Sequence, residues 1–223
     1  MNPKPPRGHQ KKQHYAKEVL KRLEKSIPVA ETALDYETPF QLLIATVLSA
    51  QCTDVRVNQV TPKLFKAFPG PKDIVNGDPE HLISLIRSTG FFNNKAKNII
   101  ATSKQLIKTH GGEVPENLDA LVALPGVGRK TANVVLSTAF GHQAIVVDTH
   151  VRRVSNRLGL SKSSDPIQIE RDLSRLLPRE KWTSGGHRLL LHGRHACKAR
   201  LPLCGTCVLA DLCPSALTPL SVL

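Results

Sequence analysis

The sequence of 223 residues predicts an all-α protein. An aspartate followed by a proline, which favours an N-cap and a first helical residue, occurs at Asp78-Pro79 and again at Asp165-Pro166. Glycine follows other apolar stretches at points where a helix would end, as at Gly141 and Gly159. Alternation of apolar and polar residues, the pattern of half-buried strands, is almost absent.

The predicted helices follow one another from the N-terminus. Residues 1–13 form a basic, proline-containing tail that we expect to be flexible. The first helix is predicted over Tyr15 to Ser26, because Val19, Leu20 and Leu23 then share one face. Later helices are predicted over 39–50, 53–68 with Thr53 as N-cap, 78–87, 93–108 with Asn93 as N-cap, 117–124, 128–140, 148–159, from 165 onward, and 180–193. Residues 143–147 are expected to be extended.

The composition indicates a basic protein with a polyanionic partner. Lysine and arginine number 31 against 18 aspartates and glutamates, which gives a formal net charge of +13. Such an excess favours nucleic acid as the partner, although a merely basic protein is the alternative. No apolar run reaches the ~18 residues that a membrane span needs, and the first residues lack the apolar core of a signal peptide. We therefore expect a cytoplasmic protein with no membrane partner.

The segment LPGVGRKTA, residues 124–132, connects two predicted helices through Gly126, Val127 and Gly128. Glycines allow a ligand to approach the backbone closely, and the N-terminus of the following helix can bind a phosphate. A plain turn between helices is the alternative. Lys130 lies in the first turn of that helix, where the helix dipole disfavours a cation and favours the neutral, nucleophilic amine. A lysine that only binds a phosphate fits the same position.

Asp148 follows an apolar segment in the motif VVDTH. Its position at a predicted helix start is typical of an N-cap. If the chain returns Asp148 to Lys130, its carboxylate can also accept a proton and stabilise positive charge on a sugar carbon. Both interpretations stay open on the pattern alone.

Four of the five cysteines lie close together near the end of the chain. They are Cys197, Cys204, Cys207 and Cys213. In a chain that we expect to be cytoplasmic, this clustering favours a metal site over disulfides. Four thiolates suit either zinc or a [4Fe–4S] cluster, and the single Cys-x2-Cys pair favours the cluster without excluding zinc.

The segments LPGVGRKTANVV and VDTHVRR resemble the helix-hairpin-helix–Gly/Pro–Asp motif of DNA glycosylases. From about Leu34 to Pro214 the chain resembles the endonuclease III family, including FQLLIATVLSAQ and LHGRHAC. The resemblance implies a DNA N-glycosylase and AP lyase of base excision repair, acting on duplex DNA with oxidised pyrimidines or abasic sites. It implies Lys130 as the nucleophile at C1′, Asp148 as the assisting carboxylate, a Schiff base and β-elimination. It also implies that the four cysteines hold a [4Fe–4S] cluster.

The resemblance further implies residues that contact DNA. Gln51 would fill the gap left by a flipped nucleotide, with a polar helix C-cap as the alternative. Phe91 and Phe92 stand where the family usually has Leu-Tyr-like residues; we predict Phe91 as the wedge and Phe92 as core packing, with both in the core as the alternative. The remaining predicted contacts are the hairpin residues Gly126, Val127, Gly128 and Arg129, and the basic residues Lys198 and Arg200 between the first two cluster cysteines.

Two helical domains with the active site in the cleft between them are implied by the same resemblance. Residues 32–142 would form a six-helix domain with the hairpin, and residues 14–31 plus 143–223 a discontinuous cluster domain. We expect a monomer. A monofunctional glycosylase and a non-catalytic damaged-DNA-binding protein remain as alternatives. Lys130 favours the lyase, and the presence of both Lys130 and Asp148 argues against a protein that only binds DNA.

Overall fold

The computed structural model describes residues 3–217, and its regular structure is entirely helical. The all-α prediction is confirmed, since no strand occurs within that range. The α-helices are α1 (His9–Ser26), α2 (Pro39–Leu48), α3 (Asp54–Ala67), α4 (Pro71–Asn76), α5 (Pro79–Ile86), α6 (Phe92–His110), α7 (Leu118–Val122), α8 (Arg129–Ala139), α9 (Thr149–Arg157), α10 (Pro166–Leu176) and α11 (Trp182–His195). Short 3₁₀ turns cover Arg87–Thr89, Arg179–Lys181 and Cys204–Thr206. None of the helices in this part of the chain has both the length and the apolar character of a membrane span.

The chain divides into two compact units. Residues Thr32–His142 form one, called here the central unit. Residues up to Glu31 and residues from Gln143 onward form the other, called the terminal unit. Each unit has a hydrophobic core of its own.

The core of the central unit is built around α2. This helix is apolar on all sides and is buried at every position from Phe40 to Leu48, as expected for a helix surrounded by others. It packs against α3, α6 and α8. The Thr38 side chain caps it by accepting a hydrogen bond from the Gln41 N–H (3.2 Å).

The core of the terminal unit joins α1 to helices that follow it by more than a hundred residues. The predicted apolar face of α1 is buried, with Val19 and Leu23 fully enclosed. Helix α1 packs on α10 and α11, and α9 packs on α11. The Tyr15 hydroxyl lies within hydrogen-bonding distance of the carbonyl oxygens of Leu158 (3.0 Å) and Leu212 (3.1 Å). Burial of that hydroxyl raises the pKa of Tyr15.

Two sequence predictions about helix starts are wrong. Helix α1 begins at His9, so residues 9–13 are helical rather than flexible. This stretch has no apolar residue to reveal a face, yet glutamine and lysine are good helix formers, and the Lys12 N–H donates to the Gly8 carbonyl (3.1 Å). Helix α6 begins at Phe92, not after an Asn93 cap, because Phe91 occupies the N-cap position.

Helix α4 was not predicted, so the described central unit has seven α-helices where six were expected. Pro69-Gly70 ends α3 as predicted, but Pro71 then starts a new helix at once. The Asp73 carboxylate accepts a hydrogen bond from the Gly70 N–H (2.9 Å) and stabilises this start. A helix of six residues is too short to show a periodic face in the sequence.

Candidate active site

The glycine hairpin joins α7 to α8 by a tight turn in the central unit. The Val127 N–H donates to the Leu124 carbonyl (3.1 Å), and both side chains are buried. Gly126 has φ +73°, and a Cβ there would lie 2.6 Å from Nδ2 of Asn98 on α6. Backbone conformation and packing against α6 therefore both require glycine at this position.

Gly128 differs from Gly126, because nothing within the protein requires a glycine there. It is the N-cap of α8 with φ −85°, an ordinary value, and a Cβ would meet no atom within 4 Å. The space over the start of α8 is therefore open. Arg129 is exposed in the same first turn, which contains no acidic residue.

Lys130 is exposed in the first turn of α8. No hydrogen bond or ion pair to another residue of the described chain engages its amine. It lies at the N-terminal end of α8, next to the open space over Gly128. The amine is thus accessible for reaction with a ligand.

Asp148 acts as the N-cap of α9 in the terminal unit. Its Oδ1 accepts a hydrogen bond from the Val151 N–H (2.8 Å), so the capping interpretation is confirmed. The preceding residues Ile145 to Val147 are buried and lie outside any helix, and their burial fixes the entry of the chain into α9. The carboxylate itself is half-buried, and capping uses only one of its two oxygens.

Gln51 and Phe91 are the two non-glycine residues with positive φ in the described chain, at 54° and 49°. The left-handed region is disfavoured for residues with a Cβ and costs on the order of 1–3 kcal/mol each. Gln51 is exposed and Phe91 is 64% exposed, whereas Phe92 packs partly buried against the central core with the Arg87 guanidinium 5.4 Å from its ring centroid. The structure thus separates the two phenylalanines into one outward and one inward side chain.

Lys95 was missed by the sequence analysis. It is only 5% exposed, and its Nζ donates hydrogen bonds to the carbonyl oxygens of Leu48 and Thr89, both at 2.8 Å. Burial lowers the pKa of Lys95. A signal was present in the sequence, because helical spacing from Ile99 and Leu106 places Lys95 on the buried face of α6.

The four clustered cysteines line one cavity in the terminal unit. Arg157 donates to Cys197 Sγ (3.3 Å), and the Leu209 N–H donates to Cys207 Sγ (3.4 Å). Burial raises the pKa of the Cys207 and Cys213 thiols, and the neighbouring cysteines raise it further. The site therefore disfavours several bare thiolates and favours a positively charged group among them.

Two arginines of α9 hold the loop that follows Cys197. Arg157 donates to the carbonyls of Lys198 (2.7 Å) and Ala199 (2.8 Å), and Arg153 donates to those of Cys197 (3.0 Å) and Gly193 (2.8 Å). In the sequence, both arginines contribute only to the excess of positive charge. The Lys198 and Arg200 side chains are exposed on the loop so fixed.

Comparisons with known proteins identify the family. The model of the HhH-GPD superfamily of base excision DNA repair proteins matches residues 44–179, and the iron-sulfur binding domain of endonuclease III matches residues 197–213. Endonuclease III of Synechocystis sp. is 54% identical over 92% of this chain and 94% of its own length. The chain belongs to the endonuclease III family.

A second sequence relative and a solved structure agree with this family assignment. Endonuclease III of Haemophilus influenzae is 50% identical over 88% of this chain and 93% of its own length. The structure of a trapped endonuclease III–DNA covalent intermediate superposes with a TM-score of 0.88 at 45% identity, covering 92% of this chain and 96% of that one. The match to the iron-sulfur domain makes a [4Fe–4S] cluster the cofactor of this endonuclease III family protein.

The geometry of the cysteine cavity fits such a cluster. A single zinc ion needs its thiolates at about 2.3 Å from one centre, whereas the irons of a cluster are separate centres, each with its own cysteine. Cys197, Cys204, Cys207 and Cys213 all line one cavity, which supplies the four thiolates that such a cluster needs.

Proposed function

We propose that this protein is a bifunctional DNA glycosylase and AP lyase that excises oxidised pyrimidines from duplex DNA, with Lys130 as nucleophile and Asp148 as assisting carboxylate. The observation that carries the proposal is the Lys130 amine, which is exposed in the first turn of α8 and engaged by no other described residue. The covalent DNA complex of a relative that is 45% identical supports covalent chemistry here as well.

The proposed reaction begins with attack of the Lys130 amine on C1′ of the damaged nucleotide. The N–C1′ bond forms while the C1′–base bond breaks, and the base leaves with the electron pair and takes up a proton. The sugar ring then opens to give a Schiff base between Lys130 and C1′. Loss of a C2′ proton breaks the C3′–O bond, and the 3′ phosphate leaves by β-elimination.

Asp148 is suited to assist this reaction while it caps α9. Its Oδ1 is occupied by the Val151 N–H, which fixes the orientation of the carboxylate. The other oxygen is then free of the capping bond and can accept the proton that the amine loses. A fixed negative charge also stabilises the positive charge that develops on the sugar.

Several residues are proposed to bind and distort the DNA. The hairpin residues Gly126, Val127, Gly128 and Arg129 would hold a backbone phosphate at the open start of α8, while Lys198 and Arg200 would contact phosphates elsewhere on the duplex. Gln51 would occupy the space of the flipped nucleotide, and the exposed Phe91 ring would wedge between base steps.

Cys197, Cys204, Cys207 and Cys213 are the proposed ligands of the [4Fe–4S] cluster. When bound, the cluster supplies four strong cross-links to a segment with little helix of its own. Its proposed role is structural, because it would fix the loop that carries Lys198 and Arg200. We also propose that the protein acts as a monomer in the cytoplasm, associated with the nucleoid if its source is a bacterium, as for the bacterial relatives.

Borohydride trapping on a duplex with one thymine glycol tests the proposed function. Reduction of the imine should leave a covalent protein–DNA band for the wild-type protein and for Lys104→Ala, which removes another exposed lysine of the central unit. Lys130→Ala should lose the band and slow strand cleavage by several orders of magnitude. Base release from an intact strand without a band would indicate a monofunctional glycosylase. Binding without base release, across a panel of oxidised bases, would indicate a damage-binding protein.

A further inference from the structure

We propose that Lys95 is a positioning residue that holds the turn of Gln51 and the turn of Phe91 in one fixed arrangement, so that both side chains enter the DNA together. The inference rests on the proposed function, since it assumes that these two side chains act at the flipped nucleotide. It assigns Lys95 no contact with the substrate.

One nitrogen atom joins the two turns. Lys95 Nζ donates to the carbonyl of Leu48 (2.8 Å), the last residue of α2 and three residues before Gln51. It also donates to the carbonyl of Thr89 (2.8 Å), two residues before Phe91. The backbone N–H of Lys95 donates to the Phe91 carbonyl (3.0 Å), so the Phe91 turn is held on both sides.

Backbone strain coincides with these hydrogen bonds. Gln51 and Phe91 alone among the described non-glycine residues have positive φ, and each follows one of the two carbonyls that Lys95 binds. A disfavoured backbone conformation persists only where the surroundings impose it. Within residues 3–217, the Lys95 Nζ is the side-chain atom that forms hydrogen bonds with both segments.

The chemistry of the site favours positioning over simple stabilisation. The end of α2 is the negative end of its dipole, which attracts a cation. Yet burying an amine has a desolvation cost, and an apolar side chain of similar volume would fill the same space without it. What an apolar side chain cannot do is bind two carbonyl groups from separate segments.

The same face of α6 also fixes the glycine hairpin. Asn98 packs against Gly126, and the Thr102 hydroxyl donates to the Pro125 carbonyl (2.7 Å). Lys95, Asn98 and Thr102 follow the i, i+3, i+7 spacing of one helical face. Helix α6 therefore sets the two strained turns and the proposed phosphate-binding hairpin relative to one another.

The test compares two substrates: a duplex with thymine glycol, whose base must be flipped, and a duplex with a preformed abasic site, which has no base to flip. Lys95→Met removes both side-chain hydrogen bonds while keeping an unbranched side chain. We expect it to slow thymine glycol excision at least about tenfold more than β-elimination at the abasic site. Leu106→Ala, a destabilising change on the buried face of α6 away from both turns, is the matched control and should leave the ratio of the two rates unchanged.

The outcomes separate the inference from the function on which it rests. If the wild-type protein excises no oxidised base, the proposed function fails, whatever Lys95 does. If it does excise, and Lys95→Met slows both substrates by the same factor, Lys95 has only a structural role and the inference is wrong. Should Lys95→Met not fold, Lys95→Gln replaces it in the test, because it keeps N–H donors on a shorter side chain. The ratio of its rates on the two substrates should differ at least threefold from that of the wild-type protein. An unchanged ratio would overturn the inference.

A fluorescence measurement gives a second readout, independent of turnover. 2-Aminopurine placed next to the lesion brightens when its stacking is disrupted. With the wild-type protein and with Leu106→Ala we expect the full increase on binding, and with Lys95→Met half of it or less. An undiminished increase with Lys95→Met would show that both turns still enter the duplex without the lysine, contrary to the inference.

Discussion

The central and terminal units differ in how their hydrophobic cores are built. In the central unit, apolar side chains from Leu34 to Leu136 enclose one another, with every residue of α2 after the first buried. In the terminal unit the apolar core is bordered by Cys197, Cys207 and Cys213 and by a final segment without an α-helix in its described part. We expect the first unit to be stabilised mainly by the hydrophobic effect and the second to need the cluster cross-links as well.

The cationic side chains show the same contrast. In the terminal unit Arg153 and Arg157 donate to carbonyls around Cys197, and Arg188 donates to the carbonyls of Ile27 (3.1 Å) and Pro28 (3.2 Å). In the central unit Lys95 donates to the carbonyls of Leu48 and Thr89. Irregular backbone leaves carbonyls without helical partners, and the unit with more irregular backbone uses more arginines to satisfy them.

Removal of one cluster ligand should lower stability more than any other change, and it should lower the stability of the terminal unit alone. Cys204→Ser takes away a thiolate from the cavity, and we expect loss of the brown absorbance near about 400 nm together with loss of most of the stability of the terminal unit. Calorimetry and absorbance at rising temperature measure both. Cys52→Ser, a change at the cysteine of the central unit, is the control and should keep the absorbance. A brown, fully stable Cys204→Ser protein would contradict the expectation that the terminal unit needs the cluster cross-links.

Equal truncations in the two cores should have unequal consequences for the cofactor. Leu43→Ala and Leu189→Ala each empty a fully buried position and should each cost about 2–5 kcal/mol of unfolding free energy. Only Leu189→Ala, in the core beside the cysteines, should also speed the loss of absorbance near about 400 nm when the protein is warmed. If Leu43→Ala bleached the cluster as fast, the two cores would not be independent.

The two hairpin glycines offer a smaller and sharper test within the central unit. Gly126→Ala must take a left-handed conformation and meet Asn98, so we expect a loss of about 2–4 kcal/mol of stability. Gly128→Ala meets no atom of the protein and should change stability by less than about 1 kcal/mol. If a phosphate binds there, Gly128→Ala should nonetheless weaken DNA binding severalfold in a fluorescence anisotropy titration. Unchanged DNA affinity would place the phosphate elsewhere.

The elements that the sequence predicted well carry their own local signals. Asp78, Asp165 and Thr53 are N-caps in the structure because each side chain accepts backbone N–H bonds from the first turn that follows it. The buried face of α1 also follows from the sequence pattern. In each case neighbours within a few residues determine the outcome.

Features that depend on distant residues were not predictable in this way. The Lys95 contacts join Leu48 to Thr89, and the Arg157 contacts reach residues some forty positions further on. The left-handed conformation of Gln51 likewise has no local signal, since glutamine does not favour it. Tertiary packing imposes these arrangements, and a single sequence records only the residues, not their partners.

The smallest expected effect is a pH dependence confined to the terminal unit. His187 on α11 is partly buried, and its Nδ1 is enclosed without a partner in the described chain. Burial lowers the pKa of His187, the nearby Arg194 lowers it further, and Glu31 opposes them. The unfolded chain then binds the proton more readily than the folded one. Stability should therefore be complete above the ordinary histidine pKa of about 6.5 and decline as the pH falls below it.

One proton limits this decline to about 1.4 kcal/mol per pH unit, and it ends once the folded protein also takes up the proton. Carboxylates stay ionised between about pH 5.5 and 7.5, so histidines dominate in this range. The unfolding free energy of the terminal unit, followed by the cluster absorbance, should fall over this interval in the wild-type protein and fall less in His187→Gln, which cannot be protonated. Equal slopes for the two proteins would mean that His187 does not couple folding to pH. A decline of the same size in the central unit would show that the effect is not confined to the unit that buries this histidine.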